Sequence, residues 1–197
     1  MPILRQETEL SPAGIFGLSE SSFPWWVAHV RSRQEKALAR HLLPFEVPFY
    51  LPQREKQVRR SGRTLVSYHP LFPGYLFFRG SVAARNTALR SNLVVKVLEV
   101  GDQALLSSEL LQIRRLQEAG ASLVPYLDVV PGDAVRVTDG PFKGHFGVVV
   151  RVQGRTRLLV SISMLRQAVA VEFDRDVVTF AGDGVVLRRK IQRAAVS

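Results

Sequence analysis

LFPGYLFF, residues 71–78, is the stretch that decides the fold of the first half of the chain. Its Pro-Gly pair predicts a turn, and the aromatic run after it predicts a strand. Because successive side chains of a strand point to opposite faces, we expect Tyr75 and Phe77 on one face and Leu76 and Phe78 on the other. These aromatics cannot all fill one core. Those at the end of the sheet are therefore candidates for an exposed docking patch, with core packing as the alternative.

The elements around this stretch alternate between strands and helices. Residues 25–30 predict a strand, and residues 32–43 predict an amphipathic helix that ends at Pro44. Downstream, the sequence predicts a hairpin over residues 55–60 and 64–68 with a basic tip (Arg59, Arg60 and Arg63), a helix near 82–90, a strand near 94–100 and a helix over 109–118. This order predicts a compact α+β sandwich over residues 23–120, after a flexible lead-in over residues 1–22.

The second half begins with GDAVRVTDGPFKGHFGVVVRV, residues 132–152. Short β-rich runs continue to about residue 180 between glycine-rich turns, with no helical period. Five short strands in so few residues predict a small β-barrel over residues 132–182. We expect residues 121–131 to be a linker and residues 183–197 to be a basic tail.

Composition excludes several classes of protein. The 197 residues contain no cysteine, which rules out disulfides, thiol catalysis and zinc knuckles. The four histidines have no metal-binding spacing, and no nucleotide-binding loop or catalytic constellation is recognisable. No apolar run is long enough to cross a membrane. We expect a cytoplasmic, monomeric, non-enzymatic protein without a cofactor.

Positive charge is concentrated in the first domain. The formal net charge is +10, and residues 25–120 carry 15 basic against 7 acidic residues. Such an excess favours a polyanionic partner, although basic surfaces are common. The pair Trp25-Trp26 is a second candidate for the docking patch, because neighbouring strand residues face opposite ways and one of the two can lie beside Phe72.

These motifs resemble the NusG family. The strand that begins Trp25-Trp26, its basic helix and the Phe72–Tyr75 turn resemble the NusG N-terminal domain, which has an antiparallel sheet with flanking helices. The run from Gly132 through Gly147 and on to Glu172 resembles the SH3-like KOW barrel of the same family. KOW segments also occur in ribosomal proteins, but the two motifs in this order are specific.

The resemblance implies a transcription elongation or antitermination factor that suppresses pausing or termination. The family binds a clamp coiled coil of RNA polymerase through an aromatic concavity, whose positions here are Trp26, Phe72, Pro73 and Tyr75. Its KOW barrel recruits a ribosomal protein or the termination factor Rho. The matching loop positions are Phe142, His145, Phe146, Met164 and Leu165.

One departure and one similarity refine this prediction. Residues 164–167 lack the aromatic residue and the glycine that general NusG proteins carry there, which weakens the expectation of Rho recruitment. Residues 60–64 leading into LFPGYLF resemble RfaH, the specialised antiterminator of the superfamily. RfaH-like proteins contact non-template DNA with basic residues on and near the first helix. The matching positions are Arg31, Arg33, Lys36, Arg40, His41 and Arg90, for which a solvated charged face is the alternative.

Three hypotheses follow. The first is a specialised NusG paralogue that acts as an antiterminator, and the second is a general housekeeping NusG that acts with Rho and a ribosomal protein. The third, from another class, is a KOW-containing ribosomal or RNA-binding protein, which leaves the Phe72–Tyr75 motif unexplained.

Overall fold

The computed structural model of the protein describes residues 10–11, 14–18, 23–60, 62–126, 133–137, 143–144, 146–152, 155–172, 180–182 and 185–186. The strands of the first domain are β1 (Leu10–Ser11), β2 (Trp25–Val30), β3 (Phe49–Tyr50), β4 (Gln53–Arg60), β5 (Arg63–Pro70), β6 (Tyr75–Arg79) and β7 (Val94–Glu99). Its helices are α1 (Glu35–Leu42), α2 (Val82–Arg90) and α3 (Gln103–Glu118).

An antiparallel sheet in the order β1-β3-β6-β2-β7 is the centre of the first domain. Its two faces follow the alternation of the strands. Trp25 and Val27 face α3, whereas Ala28 and Val30 face α1 and α2. On β6, Phe77 lies on the α3 side with Tyr75 against it, and Leu76 and Phe78 lie on the other side, as the sequence predicted. The α+β fold is therefore confirmed, with helices on both faces of one sheet.

Helix α3 begins six residues before the predicted start. The Asp102 side chain caps it by accepting a hydrogen bond of 2.8 Å from the backbone N–H of Leu105. This cap explains the difference, because an aspartate at the N-cap satisfies a backbone donor that the helix itself leaves free. The additional turn carries Leu106 into the same buried stripe as Leu110 and Ile113.

The N-terminal residues differ from the predicted lead-in. Strand β1 pairs with β3, and Ile15 is buried in the α3 side of the core. The Phe16 ring contacts the rings of Trp25 and Tyr50 at 5.8 Å and 5.5 Å between centroids. The first domain therefore includes residues upstream of position 23.

A buried arginine holds this segment in place. Arg79 donates from Nε to the carbonyl of Phe23 at 2.7 Å and from a terminal nitrogen to the carbonyl of Ile15 at 2.8 Å. Its guanidinium lies 5.1 Å from the centroid of the Trp25 ring, within the range of a cation–π contact. The sequence did not predict this contact, because an arginine at the end of an aromatic strand normally faces solvent.

The second domain is an antiparallel sheet in the order β14-β13-β9-β10-β11-β12-β8. Its strands are β8 (Leu123–Tyr126), β9 (Asp133–Val137), β10 (Phe146–Val152), β11 (Arg155–Ile162), β12 (Gln167–Glu172), β13 (Phe180–Gly182) and β14 (Val185–Val186). The predicted linker is wrong in its first half, because β8 pairs with β12. Part of the predicted tail forms β14, and residues 187–197 lie outside the described residues.

Helix α3 joins the two domains. Its apolar stripe (Leu106, Leu110, Ile113 and Leu116) belongs to one buried cluster with Leu158, Val160 and Ile162 of β11 and with Val169 and Val171 of β12. The opposite face of β11 and β12 buries Leu159, Ala168 and Ala170 separately. One helix therefore contributes to the core of the first domain and also packs against the second.

Candidate functional sites

The α3 side of the first sheet carries an aromatic cluster, called the aromatic surface below, formed by Trp25, Tyr50, Phe72, Tyr75 and Phe77. All of these side chains except Tyr75 are buried, so only the edge of the cluster is accessible. Phe72 and Phe77 meet edge to face with their ring centroids 5.8 Å apart. Phe72 is only 1% exposed, so it supports the surface from within. Pro73 is exposed and Tyr75 is half-buried, and its ring stacks on His29 at 5.1 Å. The accessible edge of the aromatic surface is therefore Pro73, Tyr75 and His29.

A buried carboxylate holds the Pro-Gly turn at this edge. Glu35, the first residue of α1, is 6% exposed and accepts a hydrogen bond of 2.6 Å from the backbone N–H of Gly74. The carbonyl of Gly74 accepts a second hydrogen bond, of 2.8 Å, from the N–H of Val30. Gly74 has φ of 86°, a conformation that glycine adopts without steric cost. The turn is thus tied both to α1 and to the end of β2.

Trp26 does not lie with Phe72 and Tyr75. It faces the α1 and α2 side of the sheet, where its Nε1 donates to the carbonyl of Gly80 at 2.8 Å and Arg85 lies 5.8 Å from its ring centroid. Trp25 takes the place on the aromatic surface, because it shares a strand face with Val27. The sequence showed that the two tryptophans point apart but could not show which face carries the Phe72 motif.

The predicted nucleic-acid-binding residues are spread over two regions. Arg31, Arg33 and Arg40 are exposed before and along α1, and Arg90 is exposed at the end of α2. His41 is half-buried; its Nε2 lies 3.2 Å from the carbonyl of Thr87 on α2, and its ring lies 5.2 Å from that of Phe45. Burial lowers the pKa of the His69 imidazole on β5, and the charges of Lys56, Arg54 and, from α1, Lys36 lower it further. The set therefore extends from the start of α1 along that helix and to the end of α2.

The loop between β11 and β12 meets α3. Glu109 is 7% exposed, and its two carboxylate oxygens each accept from the backbone N–H of Ser163 at 3.1 Å. Ser163 Oγ also donates to the same carboxylate. Burial raises the pKa of Glu109, while the Ser163 hydrogen bonds act in the opposite direction. This carboxylate thus links the two domains, and sequence analysis did not single it out.

The predicted partner-binding positions of the second domain lie partly at this contact. Met164 is exposed, and Leu165 is half-buried against the cluster that contains the α3 stripe. Arg166 adopts a left-handed conformation with φ of 52° as the loop turns into β12. Phe142 and His145 lie outside the described residues, and Phe146 begins β10.

Among the residues that the structure describes, no group of three or more histidine, aspartate and glutamate side chains is arranged to hold a metal ion. None of the helices described above is long and apolar enough to cross a membrane.

Comparison with known proteins matches both domains. The family model for transcription termination factor NusG matches residues 23–115, and the KOW motif matches residues 131–162. The NusG transcription termination/antitermination protein of Buchnera aphidicola is 32% identical over 132 residues, which cover 63% of this chain and 72% of that protein. The protein of the same name from Xylella fastidiosa is 28% identical over 176 residues, which cover 76% of this chain and 95% of that protein.

A solved structure titled "Domain interaction in Thermotoga maritima NusG" is similar at 21% identity and a TM-score of 0.47, covering 78% of this chain and 94% of that one. The two family models follow one another in the order of the two domains in the structure. The chain therefore belongs to the NusG family, with a NusG-type N-terminal domain followed by a KOW domain.

Proposed function

We propose that this protein is a non-enzymatic transcription elongation and antitermination factor that binds RNA polymerase through its first domain. The observation that carries the proposal is the accessible edge of the aromatic surface (His29, Pro73 and Tyr75), which lies inside the region that matches the NusG family model. Relatives that match 63% and 76% of the chain are named transcription termination/antitermination proteins, which supports a role in transcription.

The proposed contact with the polymerase is the exposed edge of the aromatic surface. Pro73 and Tyr75 offer apolar area beside the His29 ring, and Phe72 supports them from the core. The hydrogen bond from Gly74 to Glu35 holds this edge in one conformation before binding. A preorganised apolar edge suits a helical partner such as a coiled coil, because little conformational entropy is lost on docking. Trp26 is not part of the proposed contact, since it faces the other side of the sheet.

The second domain is proposed to recruit a further protein through the loop that contains Met164 and Leu165. Residues 164–167 read Met-Leu-Arg-Gln, which supports a specialised paralogue over a factor that works with Rho. The names of the relatives favour the general NusG role instead. A Rho-dependent termination assay separates the two, because a general factor should enhance release at weak sites and the proposed specialist should not.

Exposed arginines beside α1 and α2 are proposed to contact non-template DNA at the polymerase. Arg31, Arg33 and Arg40 are exposed before and along α1, where their charges face solvent. Contacts of this kind position a protein on DNA without reading its sequence, and they weaken as salt rises. Replacing all three with glutamine should lower retention on a transcription bubble and leave binding to free polymerase unchanged.

Co-purification with core RNA polymerase tests the docking proposal. Tyr75→Ala should reduce the recovered polymerase at least tenfold, because an aromatic anchor at the centre of an interface typically contributes ~2 kcal/mol or more. Val95→Ala, a truncation of an exposed residue on β7, is the matched control and should leave recovery unchanged. Equal recovery with the wild-type protein and the Tyr75→Ala variant would overturn the assignment of this edge.

A further inference from the structure

In the hairpin of β4 and β5, called the ribbon below, the pairing register of the strands places most of the basic residues and the acidic residue on different faces. Residues directly opposite each other in an antiparallel pair share a face. The pairs Arg54 with His69, Lys56 with Ser67, Val58 with Leu65 and Arg60 with Arg63 therefore lie on one side, and the pairs between them lie on the other. We call the first side the basic face and define it by Arg54, Lys56, Arg63 and His69.

The opposite face holds the only acidic residue of the ribbon. Glu55 accepts a hydrogen bond of 2.6 Å from Gln57 and one of 3.3 Å from the hydroxyl of Tyr68, both on its own side. Its carboxylate is therefore turned away from the basic face and occupied by neighbouring donors. No carboxylate within the ribbon neutralises Arg54, Lys56 or Arg63.

The histidine of the basic face lies among positively charged side chains. The pKa of His69 is lowered, first by burial and then by the charges of Lys56, Arg54 and Lys36. Lys36 comes from α1, so the basic face continues from the ribbon onto the first helix. Three cations around one imidazole are a concentration of charge that an anionic partner would neutralise.

The outer half of the ribbon projects from the domain. Residues 55–59 and 62–66 are exposed, including Val58 at 44% and Leu65 at 52%. The exposed part of each strand, four or five residues long, extends over ~14–17 Å, which is about the rise of four to five base pairs. The ribbon thus has the length and the exposure to follow a polyanion.

We propose that the basic face of the ribbon binds the phosphate backbone of duplex DNA. The major groove of B-form DNA admits a two-stranded β-ribbon, whereas the deep and narrow groove of A-form RNA does not. Single-strand binders need aromatic platforms for base stacking, and the only tyrosine of the ribbon, Tyr68, lies on the other face. This inference goes beyond the proposed polymerase contact and does not depend on it.

The test measures the purified full-length chain with a labelled 20-base-pair duplex of mixed sequence by fluorescence anisotropy. The variant Lys56→Glu/Arg63→Glu should lose two phosphate contacts. From a salt slope of about −0.9 per phosphate, each lost contact weakens binding about eightfold at ~0.1 M salt, and the double variant should weaken it at least fiftyfold. The salt slope should also become shallower by about two.

Two controls make the result specific. Arg59→Glu has the same charge change as Arg63→Glu and lies at the same end of the ribbon on the opposite face, so it should weaken binding less than twofold. If the double glutamate variant fails to fold by circular dichroism, Lys56→Gln/Arg63→Gln replaces it; it removes the same two phosphate contacts, so the same loss of about fiftyfold is expected.

Three results would overturn the proposal. The first is equal weakening by Arg59→Glu and Arg63→Glu, which would indicate net charge alone. The second is an unchanged salt slope in the double variant. The third is binding of single-stranded or A-form RNA of equal length as tight as that of duplex DNA. A failure here leaves the co-purification result with polymerase unaffected, because no polymerase is present.

Discussion

Replacing Glu109 with alanine should weaken the contact between the two domains. The carboxylate accepts hydrogen bonds from the Ser163 N–H on both oxygens and from the Ser163 hydroxyl. A hydrogen bond to a charged group contributes ~1.5–3 kcal/mol, and the cost of burying the carboxylate, which raises its pKa, offsets part of that gain. The net loss should be about 1–3 kcal/mol. A molecule is called closed when its two domains are in contact and open when they are apart, and this loss lowers the ratio of closed to open molecules about 5- to 150-fold.

Energy transfer between two dyes measures this ratio. The chain has no cysteine, so Lys96→Cys on β7 and Lys143→Cys in the second domain, both exposed, provide single labelling positions. Glu109→Ala should lower the transfer efficiency. Glu118→Ala on the same helix removes an exposed ion pair with Arg114 and should change the equilibrium by less than ~0.5 kcal/mol.

A double-mutant cycle with Ser163→Ala isolates the pair. Ser163→Ala removes the hydroxyl donor but keeps the backbone N–H, so its own effect should be smaller than that of Glu109→Ala. The coupling energy between the two positions should reach at least ~0.5 kcal/mol. Additive effects, or transfer efficiencies that match the wild type in both single variants, would refute the assignment of Glu109 as the link.

Three further predictions rest on single groups. Because the pKa of Glu109 is raised in the closed form, the closed form binds the proton of this carboxyl more tightly than the open form does. The stabilisation that this group gives to the closed form is therefore fully present below the ordinary carboxyl pKa and is lost as the pH rises through the raised value. A flat pH profile of energy transfer would contradict this prediction. Gly147→Ala would place a Cβ 2.2 Å from the backbone carbonyl oxygen of Leu159. The free energy of unfolding, measured from the midpoint in urea, should therefore fall by at least ~2 kcal/mol, and an unchanged midpoint would show that β10 and β11 can move apart without cost. Glu35→Ala leaves the N–H of Gly74 without its acceptor and should cost about 1–3 kcal/mol in thermal unfolding, whereas Glu35→Gln keeps an acceptor and should cost less; equal effects would exclude the hydrogen bond as the cause.

Local pattern was sufficient for the elements and for the family. The alternation after the Pro-Gly turn predicted which side chains of β6 share a face, and the hairpin of β4 and β5 was predicted within a few residues at each strand end. The glycine-rich run from residue 132 predicted strands β9 to β12 of the second domain, but not β8 or β14. These signals depend on neighbours in sequence, which share a strand face or a helix side by geometry alone.

Glu35 and Glu109 show which contacts the local sequence pattern could not predict. Each occupies a position on the apolar stripe of its helix, three residues before Leu38 and three residues after Leu106. An acidic residue on a buried stripe indicates that a hydrogen-bond donor or a positive charge lies beside it, because an isolated carboxylate is costly to bury. That signal was available in the sequence, but the partners, Gly74 and Ser163, are 39 and 54 residues away.

The sequence by itself determined that one strand carries apolar residues on both faces, that the two tryptophans point apart, and that a barrel follows an α+β domain. Only the tertiary structure decided what covers each face. It placed Trp25, not Trp26, beside the Phe72 motif, seated Ile15 and Phe16 on the same side, and brought α3 against β11. The physical reason is that periodicity defines faces relative to one another, whereas the partner of a face depends on packing between segments far apart in the chain.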